Sequence, residues 1–182
     1  MDEDFKFHVS TERPEEKYES VVDYYKNEVL RDYATSKSMM HIQEKITERA
    51  LELLNLEKGS LLLDLGSGAG FSSIYLKEMG FKVIALDIIL NFLRFYDITE
   101  LNPMNADMCS LPFRPNSVDG VISISALQWI YRALGKEQMR QDMIRLAEYV
   151  SHVLKPGGRG VFQFYPKNDR IMRAIGRIFS TR

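Results

Sequence analysis

The stretch that most constrains the fold of this chain is LLLDLGSGAG, residues 61–70. It begins as an apolar run of strand length that contains one acid, Asp64. The run ends in a turn with glycine at every second position, Gly66, Gly68 and Gly70, and a helical pattern follows over residues 71–79. A strand, a glycine turn and a helix in this order present backbone N–H groups and a positive helix end to a cofactor in α/β domains. The stretch therefore predicts an α/β domain with a cofactor site at this turn.

Strand and helix patterns alternate along the rest of the chain. Further strands are predicted over 81–87, 101–107, 118–126 and 159–164, and helices over 38–56, 88–96, 136–154 and 168–179. This alternation predicts a Rossmann-like parallel sheet with helices on both faces. Pro103 would be costly in a central strand, so we expect the third strand at an edge of the sheet. The fifth strand should also lie exposed at an edge, since only one helix follows it.

Length and composition limit the class of protein. The 182 residues suit one domain, which we expect over residues 33–182, after a polar, tyrosine-rich N-terminal arm over residues 1–32. The single cysteine, Cys109, excludes disulfide frameworks and cysteine-based metal sites within the chain, and no metal is expected. No apolar run reaches the roughly 18–20 residues that cross a membrane, and the acidic N-terminus is unlike a signal peptide. We therefore expect an intracellular protein, cytoplasmic or, in a eukaryote, nuclear, with no membrane partner.

Charge is distributed unevenly along the chain. The formal net charge is −1, yet from Lys155 onward there are seven basic residues and one acid, Asp169. A basic end of this kind can attract a polyanion such as nucleic acid. On charge alone, a solvated helix face is the preferred interpretation.

The spacing of glycines and acids indicates which cofactor the turn binds. A dinucleotide site needs Gly-x-Gly-x-x-Gly, and the sixth position is Phe71 or Ser73 in the two registers available. An acid within the turn repels a pyrophosphate but can accept a hydrogen bond from an ammonium group. Asp87, which ends the second strand, can accept from both hydroxyls of a ribose. The pattern therefore favours S-adenosylmethionine, which has a ribose and an amino-acid end but no phosphate; Asp107 could accept from its adenine amino group.

These residues resemble the class I S-adenosylmethionine-dependent methyltransferases. The resemblance also rests on Leu111-Pro112-Phe113 and on Lys155-Pro156-Gly157-Gly158. A narrower resemblance, to the small-subunit ribosomal RNA guanine-N7 methyltransferases, is carried by Tyr33, Ser36, Met39, Ile42-Gln43, residues 49–54, Asp107-Met108, residues 122–126, Gln128-Trp129 and residues 163–168. The cofactor-binding residues that it implies are Tyr33, Gln43, Asp64, Gly66, Ser67, Gly68, Gly70, Asp87, Ile88, Ala106, Asp107, Met108 and Ser123.

The resemblance implies a function and partners. The family methylates guanine N7, so ribosomal RNA is the expected substrate and ribosome biogenesis the expected process. It also implies a small zinc-binding activator subunit that extends the sheet at the third strand, where Pro103 would remove one donor. The fold implied has seven strands, so its C-terminal strands are missing here and the domain over residues 33–182 is expected to be truncated.

The methyl acceptor should lie near the carboxyl ends of the fourth and fifth strands. An extruded base needs an aromatic surface and amide groups, and Trp129, Tyr165 and Gln128 are the candidates for positioning it. Guanine N7 has a free lone pair at neutral pH, so no general base is expected. His8, His41 and His152 all lie outside the predicted catalytic face.

The chain departs from the family at two further places, and two alternative functions stay open. Ser38, beside Lys37, stands where the family usually has arginine, and residues 88–90 are apolar where the family usually has Ile-Ser-Pro. The first alternative is a methyltransferase that acts on a small molecule. The second is a cofactor-binding partner protein without activity of its own.

Overall fold

A computed structural model describes residues 13–96, 101–131 and 137–180. The helices are α1 (Pro14–Lys17), α2 (Val21–Tyr24), α3 (Asn27–Thr35), α4 (Lys37–Leu54), α5 (Phe71–Glu78), α6 (Leu90–Leu93), α7 (Glu137–Val153) and α8 (Asp169–Ser180). The strands are β1 (Leu61–Leu65), β2 (Lys82–Asp87), β3 (Met104–Asn105), β4 (Val118–Ile124) and β5 (Leu154–Gln163). A 3₁₀ turn over Leu127–Trp129 follows β4.

The strands form one parallel sheet in the order β3-β2-β1-β4-β5. Both β3 and β5 therefore lie at edges, as predicted. Since the chain crosses from β3 back to β4 beside β1, the order reverses between β1 and β4, and ligands of open parallel sheets bind at the carboxyl ends of strands where it reverses. The predicted α/β fold class is confirmed, and the glycine turn after β1 lies at this position.

Helices cover both faces of the sheet. Leu62 of β1 packs in a buried cluster with Ala50 and Leu54 of α4 and Leu76 of α5. The next residue along β1, Leu63, points to the opposite cluster, which includes Met143, Leu146 and Val150 of α7 and Ile171 and Ile175 of α8. Successive residues of β1 are buried on opposite faces, which explains why its leucines follow one another without alternation, with Asp64 as the one polar residue.

The third strand is shorter than the sequence predicts. A strand was expected over residues 101–107, but only Met104 and Asn105 pair with β2. Pro103 lies immediately before β3. Proline has no backbone N–H and cannot donate a hydrogen bond to a neighbouring strand. Because it lies outside the two paired residues, it removes no hydrogen bond from β3.

Residues 155–158 form a bulge within β5. Leu154 pairs with Val118, and pairing resumes at Arg159 with Gly120, so the backbone register shifts over the intervening residues of β5. The strand consequently begins five residues earlier than the predicted 159–164. Asp119 fixes this end of the sheet, because it accepts from Leu61 N at 2.8 Å and from Lys155 Nζ at 2.7 Å.

The described part of the N-terminal arm consists of short helices. Asn27, the first residue of α3, has φ 49°, so α2 and α3 do not form one continuous helix. Leu30 of α3 is buried against Phe71 and Phe92. Helix α3 runs past the expected boundary between arm and domain at residues 32 and 33. Ser36 then caps the start of α4, since its hydroxyl oxygen accepts from Met39 N at 3.2 Å. Among the described helices, none is both long and apolar enough to cross a membrane.

Candidate functional site

The glycine turn is shaped by its neighbours as well as by its backbone. Gly66 has φ 73°, and a Cβ there would lie 2.5 Å from Cβ of Ala126. Gly70 has φ 89°, and a Cβ there would lie 2.3 Å from Cε1 of Tyr96. Both positions therefore exclude any side chain. The requirement at Gly70 comes from packing against Tyr96, a reason that the spacing of the glycines did not reveal.

Tyr96 stabilises the glycine turn through hydrogen bonds of its hydroxyl. Its hydroxyl donates to the backbone oxygen of Gly68 at 2.5 Å and lies 3.0 Å from Oγ of Ser67. Ser67 is buried and does not line the cavity described below. Tyr96 was missed by the sequence analysis because a lone tyrosine near the end of a helix has no distinguishing pattern.

Asp87 connects the turn to the second strand. Its Oδ2 accepts from Gly68 N at 2.8 Å, and its Oδ1 accepts from Ile89 N at 2.7 Å. Burial raises the pKa of this carboxyl to about 6, against the lowering effect of the two backbone hydrogen bonds. Each carboxylate oxygen can accept further hydrogen bonds, so Asp87 can still bind two hydroxyls of a ligand.

Asp64 is fully buried at the end of β1. Its Oδ2 accepts from the hydroxyls of Ser72 and Ser73, each at 2.6 Å. Its Oδ1 is buried and has no hydrogen-bond partner among the residues that the structure describes. Burial raises the pKa of Asp64 to about 6. A buried acceptor without a donor fits the predicted ammonium group, although Asp64 itself is not among the residues that line the cavity.

A cavity of about 480 Å³ lies beside the turn, which is large enough for a nucleoside-sized ligand. Of the residues predicted to bind the cofactor or substrate, it brings together Tyr33, Gly66, Gly68, Asp87, Ile88, Ala106, Asp107, Met108 and Trp129. Exposed Asp107 uses Oδ1 to accept from Cys109 N at 2.8 Å, which forms a local turn.

Several predicted residues lie behind the cavity wall. Ser123 is fully buried, and its hydroxyl donates to the backbone oxygen of Leu65 at 2.8 Å. Gln43 is buried and reaches Ser125 Oγ at 3.4 Å. These two residues, like Ser67 and Gly70, lie outside the cavity lining and support residues that do line it.

The predicted acceptor residues are divided between two cavities. Trp129 lines the large one, whereas Gln128 and Tyr165 line a smaller cavity together with Arg13. Gln128 Nε2 donates to the backbone oxygen of Ser125 at 2.8 Å, and its Oε1 is buried without a partner in the described part of the chain. Tyr165 is 45% exposed.

The N-terminal arm covers Trp129 and the smaller cavity. The ring centroid of Trp129 lies 5.6 Å from that of Tyr24 and 6.0 Å from that of Tyr25. Burial is the main cause of the raised pKa of Tyr25. Arg13 donates to the backbone oxygen of Tyr165 at 2.7 Å, so the arm is tied to the segment after β5.

One wall of the large cavity comes from α7, a helix that was predicted from the sequence but not as part of the site. Gln138, Met139, Asp142 and Arg145 line it at helical spacing, and that spacing is the signal that could have identified them. Cys109 also lines the cavity, and burial raises the pKa of its thiol to about 12. This thiol is therefore protonated and unreactive at neutral pH.

Known proteins with similar sequences agree with this geometry. Residues 63–162 match a family model described as a methyltransferase domain. The chain is 41% identical over 162 residues to the 18S rRNA (guanine(1575)-N(7))-methyltransferase of Saccharomyces cerevisiae. It is 39% identical over 170 residues to the 18S rRNA (guanine-N(7))-methyltransferase of Mus musculus. These matches cover 86% and 90% of this chain, which spans 58% and 60% of the lengths of the two relatives.

A solved structure is similar as well. It is the complex between the Trm112 methyltransferase activator of Haloferax volcanii and a methyltransferase, with a TM-score of 0.54 and 26% identity. The match covers 73% of this chain and 58% of that one. The parallel sheet, the glycine turn with its two acids and the matched domain model agree. The chain belongs to the methyltransferase domain family, which is S-adenosylmethionine-dependent.

Proposed function

We propose that this protein methylates N7 of a guanine in small-subunit ribosomal RNA, with S-adenosylmethionine as the methyl donor. The observation that carries the proposal is the 41% identity to the yeast 18S rRNA enzyme across 86% of this chain. The site supports the same proposal, because it combines a nucleoside-sized cavity with an aromatic side chain at its wall.

The residues at the turn fit the proposed cofactor. Asp87 would bind the ribose hydroxyls. Asp64, whose Oδ1 has no partner among the described residues, would attract the ammonium group electrostatically from behind the cavity wall. Ile88, Ala106 and Met108 provide apolar surface for the adenine. This combination of a few polar groups and an apolar wall is typical of small-molecule sites.

Methyl transfer to guanine N7 requires the protein mainly to position the methyl donor and the acceptor base. When bound, the cofactor supplies an electrophilic methyl group on a sulfonium. Guanine N7 is unprotonated at neutral pH, so the protein needs no group to remove a proton from it. His41 and His152 are exposed, and neither lines the large cavity. The side chains would therefore act by orienting the two reactants and excluding water.

The acceptor base would stack on Trp129. Stacking of a base on an aromatic side chain contributes about 1–3 kcal/mol to nucleic acid binding. Gln128 and Tyr165 stay the candidates for contacts with the edge of the base, since Gln128 Oε1 is a buried acceptor to which no described residue donates. A base that reaches Trp129 would replace the ring contacts that Tyr24 and Tyr25 make there.

We also propose an activator subunit at the edge formed by β3. The similar Haloferax volcanii structure contains the Trm112 methyltransferase activator, which supports a partner of this kind, and the proposal extends to a small zinc-binding subunit. Pro103 lies outside β3, so it does not remove a donor from the paired residues. Activity in ribosome biogenesis would place the protein in the cytoplasm or nucleus. Co-expression with the activator tests this: copurification supports it, and two proteins that elute separately at micromolar concentration contradict it.

Cofactor binding is tested by calorimetry on the native protein and on Asp87→Asn. Since a hydrogen bond to a charged group contributes about 1.5–3 kcal/mol, the variant should bind S-adenosylmethionine at least about tenfold more weakly. Asp119→Asn is the matched control, because Asp119 also accepts from a backbone N–H but lies at the opposite end of the sheet. Equal affinity of Asp87→Asn and native protein would show that the cofactor assignment is wrong.

The substrate is tested separately with labelled cofactor. Purified small ribosomal subunits are incubated with the protein, alone and with the activator, and the label is mapped by its position in the RNA. Label at guanine N7 supports the proposal. Label that enters only small metabolites would instead support the small-molecule alternative.

A further inference from the structure

Ser125 has a backbone conformation that serine rarely adopts. Among the described residues, four other than glycine have a positive φ, and three of them are asparagines: Asn27, Asn55 and Asn116. Asparagine tolerates the left-handed region, whereas Ser125, with φ 57°, is the exception. Residues held in this region persist only where their surroundings impose the conformation, and they cluster at functional sites. Ser125 lies directly after β4 and lines the large cavity.

Three glutamines impose this conformation. The backbone N–H of Ser125 donates to the backbone oxygen of Gln163 at 2.9 Å and to its Oε1 at 3.0 Å. The hydroxyl donates to the same Oε1 at 2.9 Å, and Gln43 Nε2 approaches it at 3.4 Å. Gln128 Nε2 donates to the backbone oxygen at 2.8 Å. Every polar group of Ser125 is therefore bound, and the three glutamines come from α4, from the 3₁₀ turn and from β5.

The residues that follow Ser125 connect the two halves of the site. Ala126 packs against the glycine turn, since a Cβ on Gly66 would lie 2.5 Å from its own Cβ. Trp129 N donates to the backbone oxygen of Ala126 at 3.1 Å. The direction in which the chain leaves Ser125 therefore sets the position of Trp129 relative to Gly66.

We propose that Ser125 is a positioning residue, locked in its left-handed conformation by Gln43, Gln128 and Gln163 so that Trp129 is fixed relative to the glycine turn. The proposal rests on the proposed function and deepens it, because alignment of methyl donor and acceptor requires this distance to be fixed. It assigns Gln43 and Gln163 to the support of the acceptor side. Gln43 then acts on the cofactor site only through Ser125.

Ser60 offers a matched control outside the site. Its hydroxyl also donates to a backbone oxygen, that of Glu57, at 2.7 Å. It lies directly before β1 and is not among the residues that line the large cavity. Ser60→Ala therefore removes a comparable hydrogen bond without changing the contacts of Ser125.

Trp129 is the single tryptophan of the chain, so its fluorescence reports directly on this segment. The experiment compares native protein with Ser125→Ala, Ser125→Gly, Gln163→Ala and Ser60→Ala. It measures Trp129 emission, quenching by acrylamide, the affinity for S-adenosylmethionine and the turnover number with RNA. Ser125→Gly serves as the variant that folds most readily, because glycine adopts this φ without strain.

Ser125→Ala and Gln163→Ala should change the emission and the acrylamide quenching of Trp129, while the affinity for the cofactor stays within about threefold. Their turnover number should fall at least about tenfold, because a displacement of about 1 Å at a reacting group can cost about a hundredfold in rate. Ser60→Ala should match the native protein in all of these measurements. Native-like Trp129 fluorescence in Ser125→Ala and Gln163→Ala, or the same changes in Ser60→Ala, would overturn the proposal.

Failure of the proposed function gives a different result. If the native protein binds the cofactor but methylates no RNA, the proposed substrate is wrong. The fluorescence and quenching of Trp129 still show whether Ser125 and its glutamine partners fix the position of Trp129, since neither measurement requires turnover.

Discussion

The buried carboxyl of Asp64 should make the stability of the protein depend on pH in a direction opposite to that of most acids. Its pKa is raised from 3.8 to about 6, chiefly by burial, in spite of two serine hydroxyls that donate to it. The folded protein therefore binds this proton more tightly than the unfolded chain does. The stability that Asp64 contributes is fully present below pH 3.8 and is lost as the pH rises through about 6.

The size of the effect follows from the interval between the two pKa values. That interval is about 2 pH units, and each unit corresponds to about 1.4 kcal/mol, so Asp64 should cost the folded state about 3 kcal/mol above pH 7. The change to test is Asp64→Asn, which cannot ionise. Its amide group will alter the hydrogen bonds to Ser72 and Ser73, but that contribution is the same at every pH.

The assay is urea unfolding of native protein and Asp64→Asn at several pH values between 4 and 7.5. The free energy of unfolding of Asp64→Asn minus that of the native protein should increase by about 2 kcal/mol across this range, since part of the full effect lies below pH 4. Asp87, whose pKa is also raised to about 6, is present in both proteins and largely cancels. Asp119→Asn is the control, because the hydrogen bond from Lys155 lowers the pKa of Asp119, so its contribution changes mainly below pH 4 and its curve should stay nearly parallel to that of the native protein. Parallel stability curves for Asp64→Asn and native protein would refute the argument.

Two further predictions concern the turn and the arm. Gly70→Ala should destabilise the protein by about 3 kcal/mol in chemical denaturation, because the new Cβ would lie 2.3 Å from Tyr96 and the backbone would be strained. Gly157→Ala, with φ 82° and nothing within 4 Å, is the matched control and should cost only about 1 kcal/mol; equal losses would show that packing on Tyr96 is unimportant. Arg13→Ala removes the hydrogen bond to the segment after β5, so acrylamide should quench Trp129 more strongly than in native protein; unchanged quenching would mean that the arm is held by its tyrosines alone.

The sequence predicted the central part of the fold well. Strands β1, β2 and β4 consist mainly of apolar residues without strict alternation, and this pattern identifies a strand that is buried on both faces. The glycine turn and Asp87 were placed correctly because parallel strands bring their carboxyl ends to one edge of the sheet. The boundaries of β3 and β5 were less accurate, since a two-residue strand and an outward bulge depend on pairing that only the folded sheet defines.

The supporting residues of the site could not be predicted in the same way. Tyr96 and Gln163 act through hydrogen bonds to residues far away in sequence, and no local pattern marks such a partner. The arm was similarly difficult, because its tyrosines contact Trp129 more than 100 residues away. Gln43 and Ser123 are a different case. Both were predicted to bind the cofactor, but in the folded protein their side chains are buried and do not line the cavity.

Helix α3 also determines where the chain can be shortened. A cut at the expected boundary would divide the helix between Asp32 and Tyr33 and remove Leu30, which is 7% exposed. Phe71 and Phe92 would lose part of their cover, and Tyr33 would become a terminal residue at the mouth of the cavity. A shorter protein that keeps its ligand site should therefore retain all of α3. In its packing, this helix belongs to the domain and not to the arm.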